Sequence, residues 1–524
     1  MLRYVLFLNA FLLCLCAFAQ DADPTFGDEG YLTIDTDWYD EAIDMAALPD
    51  GSFVVLIQSG RQDSLYFDMD LCLVRFSAEG RIDTTFGDSG LKRFDSGPGY
   101  YSLGKSLLVD ESGRILVLST NESAEGGKLI SVAAFLTNGE SDATFAENGN
   151  YLGHFISQLN DAGNFKLYES RIVVAATAYD SGSVHRELPA LLVLDAEGKP
   201  DSTFGGTGKM VFDIGNGIIY PISAAQDGFS RHNSGGFFSD VVMQGNRIIA
   251  GGAFSSGLDY RCLMAAILPD GTVDSTFFYQ GLLVFDQAQA QSSWIRQMAL
   301  TAQDDVLCAI RYSNQNTPPL NCMALCNYTD LPQPFTFNQL PYGQINGLKQ
   351  VANGRMLFSA SVVDEENYPG FVNSVKAGLF SAAAGASAAD TLFLGSVFEG
   401  ISCEAEAICE DAAGGILLAV KSANEDAQAG SNVYIMRLSA ITGISAPKPA
   451  DEILVYPVPA KGEFTIKCPS GGKISIYNSS GRQVFSGIAE STNMLVSLPE
   501  QASGLYHIIV ETPQGIRIIN QILN

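Results

Sequence analysis

Asp23-Pro24-Thr25-Phe26-Gly27-Asp28-Glu29-Gly30 decides how this chain is read, because versions of it return along most of the length. Asp83-Thr84-Thr85-Phe86-Gly87, Asp142-Ala143-Thr144-Phe145, Asp201-Ser202-Thr203-Phe204-Gly205 and Asp274-Ser275-Thr276-Phe277 repeat its core. Phe26, Phe86, Phe145 and Phe204 stand 60, 59 and 59 residues apart, and Phe277 follows after 73. Two decayed copies continue the series, around Phe337 and at Asp390-Thr391-Leu392-Phe393, 60 and 56 residues further on. Seven copies of so long a unit mean a repeat architecture. An Asp side chain can bond backbone two residues on and start a turn, and Gly accepts positive φ at the next bend. The Phe is an apolar anchor in a polar connection and is expected to lie buried between units.

Within each unit the same order recurs. In the first, Glu41 to Leu48 alternates, Pro49-Asp50-Gly51 turns, and Phe53-Val54-Val55-Leu56-Ile57 follows as an apolar run. Leu71-Cys72-Leu73-Val74-Arg75-Phe76 comes next, then the Asp-x-Thr-Phe motif, then Leu91-Lys92-Arg93-Phe94. These are four short strands of 4–6 residues with no helical period. Copies of the apolar run, such as Ile115-Leu116-Val117-Leu118 and Ile416-Leu417-Leu418-Ala419-Val420, predict a sheet covered on both faces. Four-stranded sheets covered by their neighbours around an axis make a β-propeller. Seven sets of the first three strands begin near residues 41, 103, 160, 236, 294, 345 and 401, but the first fourth-type strand, Tyr31 to Thr36, precedes them all. The expected fold is therefore all-β: a seven-bladed β-propeller whose N-terminal strand completes the last blade and removes an exposed edge. The pattern resembles the delta-60 repeat family over about residues 23–440, with weakening where Ala146 or Phe278 replaces the last Gly. That resemblance implies a propeller-like repeat fold and no particular chemistry.

Residues 441–452 read as a linker with Gly443, Ser445, Pro447 and Pro449. Residues 453–524 change pattern, and their alternation and turn spacing predict a small β-sandwich. Tyr456-Pro457-Val458-Pro459, the Ile476-Tyr477 hairpin closing on Gly481-Arg482, and Gly504-Leu505-Tyr506 carry a resemblance to the C-terminal sorting domain of the Por, or type IX, secretion system. Val458 stands where that family has Asn. The resemblance implies export by the type IX machinery through residues 453–524, to the outer surface or the medium.

The N-terminus agrees with this destination. Residues 1–19 read as a signal peptide: Arg3, an apolar run from Tyr4 to Phe18, and Ala17-Phe18-Ala19 as the cleavage site. Cys14 and Cys16 follow leucines, a poor fit to a lipobox. No later run reaches the about 18 apolar residues of a membrane span.

The whole chain carries 30 basic and 58 acidic groups, a net charge of −28, which disfavours nucleic acid and anionic membrane surfaces as partners. Calcium is compatible with such a balance, but no Asp-x-Asp-x-Asp-Gly loop is present, and no cofactor is expected. Cys72, Cys262, Cys308, Cys322, Cys326, Cys403, Cys409 and Cys468 have no zinc spacing and lie mostly in apolar runs, so buried thiols are expected, with room for one or two disulfides. His154, His185, His232 and His507 form no metal spacing, and no nucleophile elbow or phosphate loop occurs. No catalytic or metal-binding residue is therefore assigned.

Long, dissimilar loops occupy one end of the expected ring: Ser59 to Asp68, Ala178 to Leu188, Tyr312 to Leu320 and Val363 to Asn373. Variable loops on a rigid scaffold are where binding resides. The leading expectation is a secreted or surface propeller that binds an extracellular glycan or protein. A hydrolase or lyase with channel carboxylates, and a structural surface component, are the alternatives.

Overall fold

The computed structural model describes residues 23–28, 30–36, 39–61, 68–95, 101–123, 126–180, 186–215, 218–222, 235–255, 259–285, 291–313, 320–326, 333–335, 343–351, 354, 356–363, 372–380, 392–397, 403–423, 431–438, 454–456, 463–467, 471–478, 482–489, 493–498, 504–512 and 515–523. Every regular element among these residues is a β-strand, and none is a helix long and apolar enough to cross a membrane. The chain divides into two compact units, Met1–Ala440 and Ile441–Asn524.

The larger unit is β-propeller-like. Its strands pair antiparallel in chain order, in groups that repeat the order expected from the sequence. Group one is Tyr39–Ala47, Phe53–Arg61, Asp68–Phe76 and Leu91–Phe94; group two is Tyr101–Val109, Ile115–Glu122, Lys128–Phe135 and Asn150–Gly153. Group three, Asn160–Tyr168, Arg171–Tyr179, Glu187–Leu194 and Lys209–Gly215, adds a fifth strand, Ile218–Ile222. That extra strand falls within the longer 73-residue spacing between Phe204 and Phe277. Groups four, five and six begin with Gly235–Gln244, Ser292–Leu300 and Gly343–Gln350. The last group is Cys403–Glu410, Ile416–Ala423 and Ser431–Leu438, and against its outer strand lies Tyr31–Ile34, with Tyr31 opposite Met436 and Ile34 opposite Val433. The first strand of each group packs on the first strand of the next, and Cys403–Glu410 packs on Tyr39–Ala47.

The first three strands of each group run 7–10 residues, longer than the 4–6 expected. Ladder bonds need only backbone, so pairing continues past the apolar run into Gln58, Ser59 and Gly60.

Burial follows the period of two. Val54 and Leu56 enter a core shared by groups one and two, whereas Val55 and Ile57 enter the core shared with the last group. Ile172 and Val174 face group two while Val173 and Ala175 face group four. The motif rings lie in these shared cores: Phe26, Phe86, Phe145 and Phe204 are fully buried and Phe277 nearly so. Phe337 lies outside the described residues, as does the side chain of Phe393. Among the described residues Cys72, Cys262, Cys308 and Cys409 are buried, as expected.

The smaller unit is a sandwich of two antiparallel sheets. Leu454–Tyr456, Glu463–Lys467 and Asn493–Ser497 form one; Gln483–Ile488, Lys473–Asn478, Gly504–Thr512 and Gly515–Leu523 form the other. Phe464 and Ile466 from the first meet Ile474, Ile476, Tyr506, Ile508 and Val510 from the second.

Candidate functional site

The two ends of the first strands differ in chemistry. One end carries a clasp that returns from group to group. The motif Asp accepts the amide and hydroxyl of the Thr two residues on, at 2.9–3.0 and 2.5–2.6 Å, in all five copies from Asp23 to Asp274. An arginine meets the same carboxylate: Arg437 with Asp23, Arg75 with Asp83, Arg114 with Asp142, Arg171 with Asp201 and Arg247 with Asp274, at 2.7–3.6 Å. The residue after the Phe then donates its amide across to a turn of the next group. Gly27 reaches Glu79 O, Gly87 reaches Asn138 O and Gly205 reaches Asp270 O, each at 2.9 Å. In that turn Gly139, at φ +85°, lets the Phe86 ring approach so closely that a Cβ would sit 3.0 Å from it. The arginines were missed in the sequence, although Arg114-Ile115, Arg171-Ile172 and Arg247-Ile248 repeat there.

The other end is unlike from group to group. Each first strand slips register once against its second strand, and the slipped residues include Ile43, Lys105, Ser239, Arg296, Asn346 and Glu406. A bulge re-aims the side chain that it inserts. It does so here on a strand whose free side faces the first strands of other groups. Some inserted groups bind the neighbour: Ser239 Oγ donates to Ile295 O at 2.6 Å, and Asn346 Nδ2 donates to Ala405 O. Others are charged.

Around the last and first groups, Lys421 Nζ donates to Tyr39 Oη at 3.1 Å and lies 3.5 Å from Glu41 and 3.6 Å from Glu404. Tyr39 Oη donates in turn to Glu41, which, after burial, helps to push the phenol up to about 12. Burial, together with the charges of Glu41 and Glu404, holds the Glu406 carboxyl well above the usual carboxylate range. Between groups two and three, Tyr179 Oη donates to Asp161 at 3.0 Å, and Lys128 lies 3.8 Å from both Asp161 and Glu122. Tyr260 Oη donates to Glu187 at 3.0 Å, whose carboxyl burial raises. In group five Arg311 stands 5.7 Å over the Trp294 ring. Burial, and then Arg311, pull the Arg296 guanidinium down to about 10 against the opposite charge of Glu406.

Deeper along the same strands the charges are paired. Lys349 of group six donates to Asp44 of group one at 2.8 Å, and Asp44 also accepts Leu107 N–H and the Ser106 hydroxyl at 3.0 Å. Among the described residues no group of three or more His, Cys, Asp or Glu is placed to hold a metal ion. A separate groove on the outer rim, lined by Tyr31 to Thr36, Phe76, Ile82 and Leu91, carries Arg81 and two aspartates, Asp28 and Asp35, as its charges.

The loops expected to bind sit at this varied end, and their central residues, 62–67, 181–185, 314–319 and 364–371, lie outside the described residues. Of the sorting-motif residues, Tyr506 is buried in the sandwich core, Arg482 is exposed beside the strand that starts at Gln483, and Gly504 opens its strand. Tyr456 ends a strand, and Pro457, Pro459 and Gly481 lie outside the described residues.

Residues 454–523 match the family described as secretion system C-terminal sorting domain. The tail is a sorting domain of this kind. The chain is thus exported by type IX secretion to the cell surface or the extracellular space. No curated protein matches the chain. Among solved structures, PorZ of Porphyromonas gingivalis, described as an essential bacterial surface component of the type-IX secretion system, is 11% identical. That match covers 95% of this chain and 82% of PorZ, with a TM-score of 0.29. A Trypanosoma rangeli sialidase is 8% identical, covering 92% and 90%, with a TM-score of 0.41. A Fusarium graminearum α-L-arabinofuranosidase is 9% identical, covering 80% and 95%, with a TM-score of 0.37. At such identities these likenesses bear on neither ligand nor activity.

Proposed function

We propose that residues 20–440 form a closed seven-bladed ring, displayed outside the cell, that binds an extracellular ligand at the varied end of its first strands. The contrast between the two ends carries this reading. One end spends its Asp, Thr, Arg and Phe on holding neighbouring groups together. The other gathers Tyr39, Glu41, Lys105, Trp294, Arg296 and Glu406 where no repeated structural task uses them. Stacked four-stranded groups and the seat of Tyr31–Ile34 on the last of them support the ring.

The test is a glycan and peptide array probed with the exported protein. Lys421→Ala should abolish retention on the array, because Lys421 organises Tyr39, Glu41 and Glu404, while Asp274→Asn at the opposite end should not. Retention on neither array would end this reading.

The Glu406 carboxyl favours a second reading, glycan hydrolysis. A buried acid whose carboxyl is raised, with carboxylates beside it, is the arrangement of a general acid. Release of reducing ends from the array glycans, lost in Glu406→Gln, would replace binding with catalysis.

A further inference from the structure

Tyr31–Ile34 is the outermost strand of the last group, and among the described strands it pairs with Ser431–Leu438 alone. Its open side borders the rim groove, a cavity of about 910 Å³. Tyr31 to Thr36 form one wall, and Val74, Phe76, Arg81, Ile82 and Leu91 of group one form the other. That volume lies within the range of ligand clefts, about 300–1,000 Å³. None of the residues gathered at the varied end lines it, so what it holds is independent of the ligand proposed above.

The strand wall is held at both ends. Tyr31 exchanges its backbone bonds with Asp28, whose N–H donates at 2.8 Å. Alternation along an antiparallel ladder then turns the N–H and C=O of Thr33 to the open side. At the far end the Thr36 N–H and hydroxyl donate to Asp40 at 2.7 and 2.5 Å, and Arg93 donates to Thr36 O at 3.4 Å. Leu32 and Ile34 are buried in one core with Val74 and Phe76, whereas Tyr31 is 41% exposed and Ile82 50%. An open strand edge beside apolar side chains is a template for a further strand. Group three shows that the rim accepts one: Ile218–Ile222 adds antiparallel to the outer strand Lys209–Gly215, with Ile222 opposite Val211 and Ile218 opposite Gly215.

The walls state what fits. Backbone bonding to a strand edge asks for an extended protein chain, not a saccharide. Six residues of strand span about 20 Å, the reach of the Tyr31 to Thr36 wall. Side chains of such a segment alternate, so every second one meets Leu91 and Ile82 and must be apolar. The lining sets two aspartates, Asp28 and Asp35, against Arg81. Arg81 stands at the Asp28 end, where Gly27 N–H donates to Glu79 O at 2.9 Å, and Arg93 at the Asp35 end is engaged with Asp70. The excess acid is therefore at Asp35, beside which an antiparallel segment begins. We propose that this groove takes, by strand addition, an extended segment of a partner protein, apolar at alternate positions and opening on a Lys or Arg that meets Asp35.

Calorimetry on the exported protein tests this with a blocked hexapeptide of alternating Val and Thr whose first residue is Lys. Its counterpart beginning with Glu should bind about fivefold more weakly, and a copy N-methylated at alternate residues at least about tenfold more weakly. Asp35→Lys should reverse the charge preference. Thr33→Pro removes the outward donor and leaves the pairing with Ser431–Leu438 in place, so binding should fall at least about tenfold with Tm unchanged. Ile82→Asp, on the exposed opposite wall, should weaken binding whatever Thr33→Pro does to stability. Lys421→Ala should bind the hexapeptide unchanged, which separates this groove from the varied end. No binding of the hexapeptide, equal binding of its N-methylated copy, or an unaltered charge preference in Asp35→Lys would overturn the proposal. Self-association in sedimentation that Ile82→Asp abolishes would seat a second copy in the groove and overturn the assignment of a partner protein.

Discussion

At the scale of single residues, the clasp turns a polar turn into a packing element. Phe86 touches apolar side chains of groups one and two, so Phe86→Ala should cost about 3–5 kcal/mol in chemical denaturation. A loss below about 1 kcal/mol would contradict an anchoring role. Thr85's hydroxyl, against a small cost of burial, and then its amide and Arg75 hold the Asp83 carboxyl below the usual range. Asp23 and Asp142 are lowered in the same way, their threonine hydroxyls leading. A folded pKa below the unfolded one gives stability that is complete above about pH 4 and lost as pH falls through the folded value. Asp83→Asn should therefore flatten the acid limb of the stability curve and leave its shape above pH about 5 unchanged. Steeper acid loss in the variant would refute the assignment. Ala146 takes the glycine place of the motif at φ +45°. Ala146→Gly should stabilise the protein by about 1 kcal/mol, and a destabilised variant would show that its methyl packs usefully.

At the scale of elements, the first strands do two tasks. Their apolar residues, such as Ala42, Met45 and Phe165, fill the cores between groups. Their bulges present Lys105, Arg296 and Glu406 elsewhere. The N-terminal strand works differently, since Tyr31–Ile34 pairs with Ser431–Leu438 from the far end of the unit. Its removal leaves that strand as an edge and exposes part of the core that holds Phe26, Leu32 and Ile34. A chain lacking residues 20–37 should melt at a lower temperature and exchange amide protons fastest in 403–438. Unaltered melting would mean that this strand closes nothing.

For the whole molecule, destination and fold belong to separate segments. Among the described residues, the sorting domain has its own core of Phe464, Ile466, Ile476, Tyr506 and Ile508, and the larger unit has cores built from its own strands. A chain ending at Ser445 should therefore fold but stay in the periplasm. Residues 446–524 behind a signal peptide and a neutral reporter should carry the reporter to the surface or the medium in a host with type IX machinery. Fractionation and immunoblotting read both, and full export of the shortened chain would overturn the tail's role.

Sequence alone determined what depends on period and local conformation. Motif phenylalanines at even intervals, apolar runs with both faces buried, and a change of pattern after residue 440 are one-dimensional signals, and each states a burial or a turn without reference to distant partners. Even the 73-residue interval marked where group three carries its added strand. The candidate site was not legible in this way. Whether a residue such as Arg296 sits in a bulge depends on register against Val306–Ser313, which no local pattern encodes. Whether its charge is compensated depends on side chains from groups far apart in sequence, as Lys349 and Asp44 are 305 residues apart and yet pair. Charge compensation is a property of three-dimensional neighbours, so only the tertiary structure shows which of the chain's charges meet.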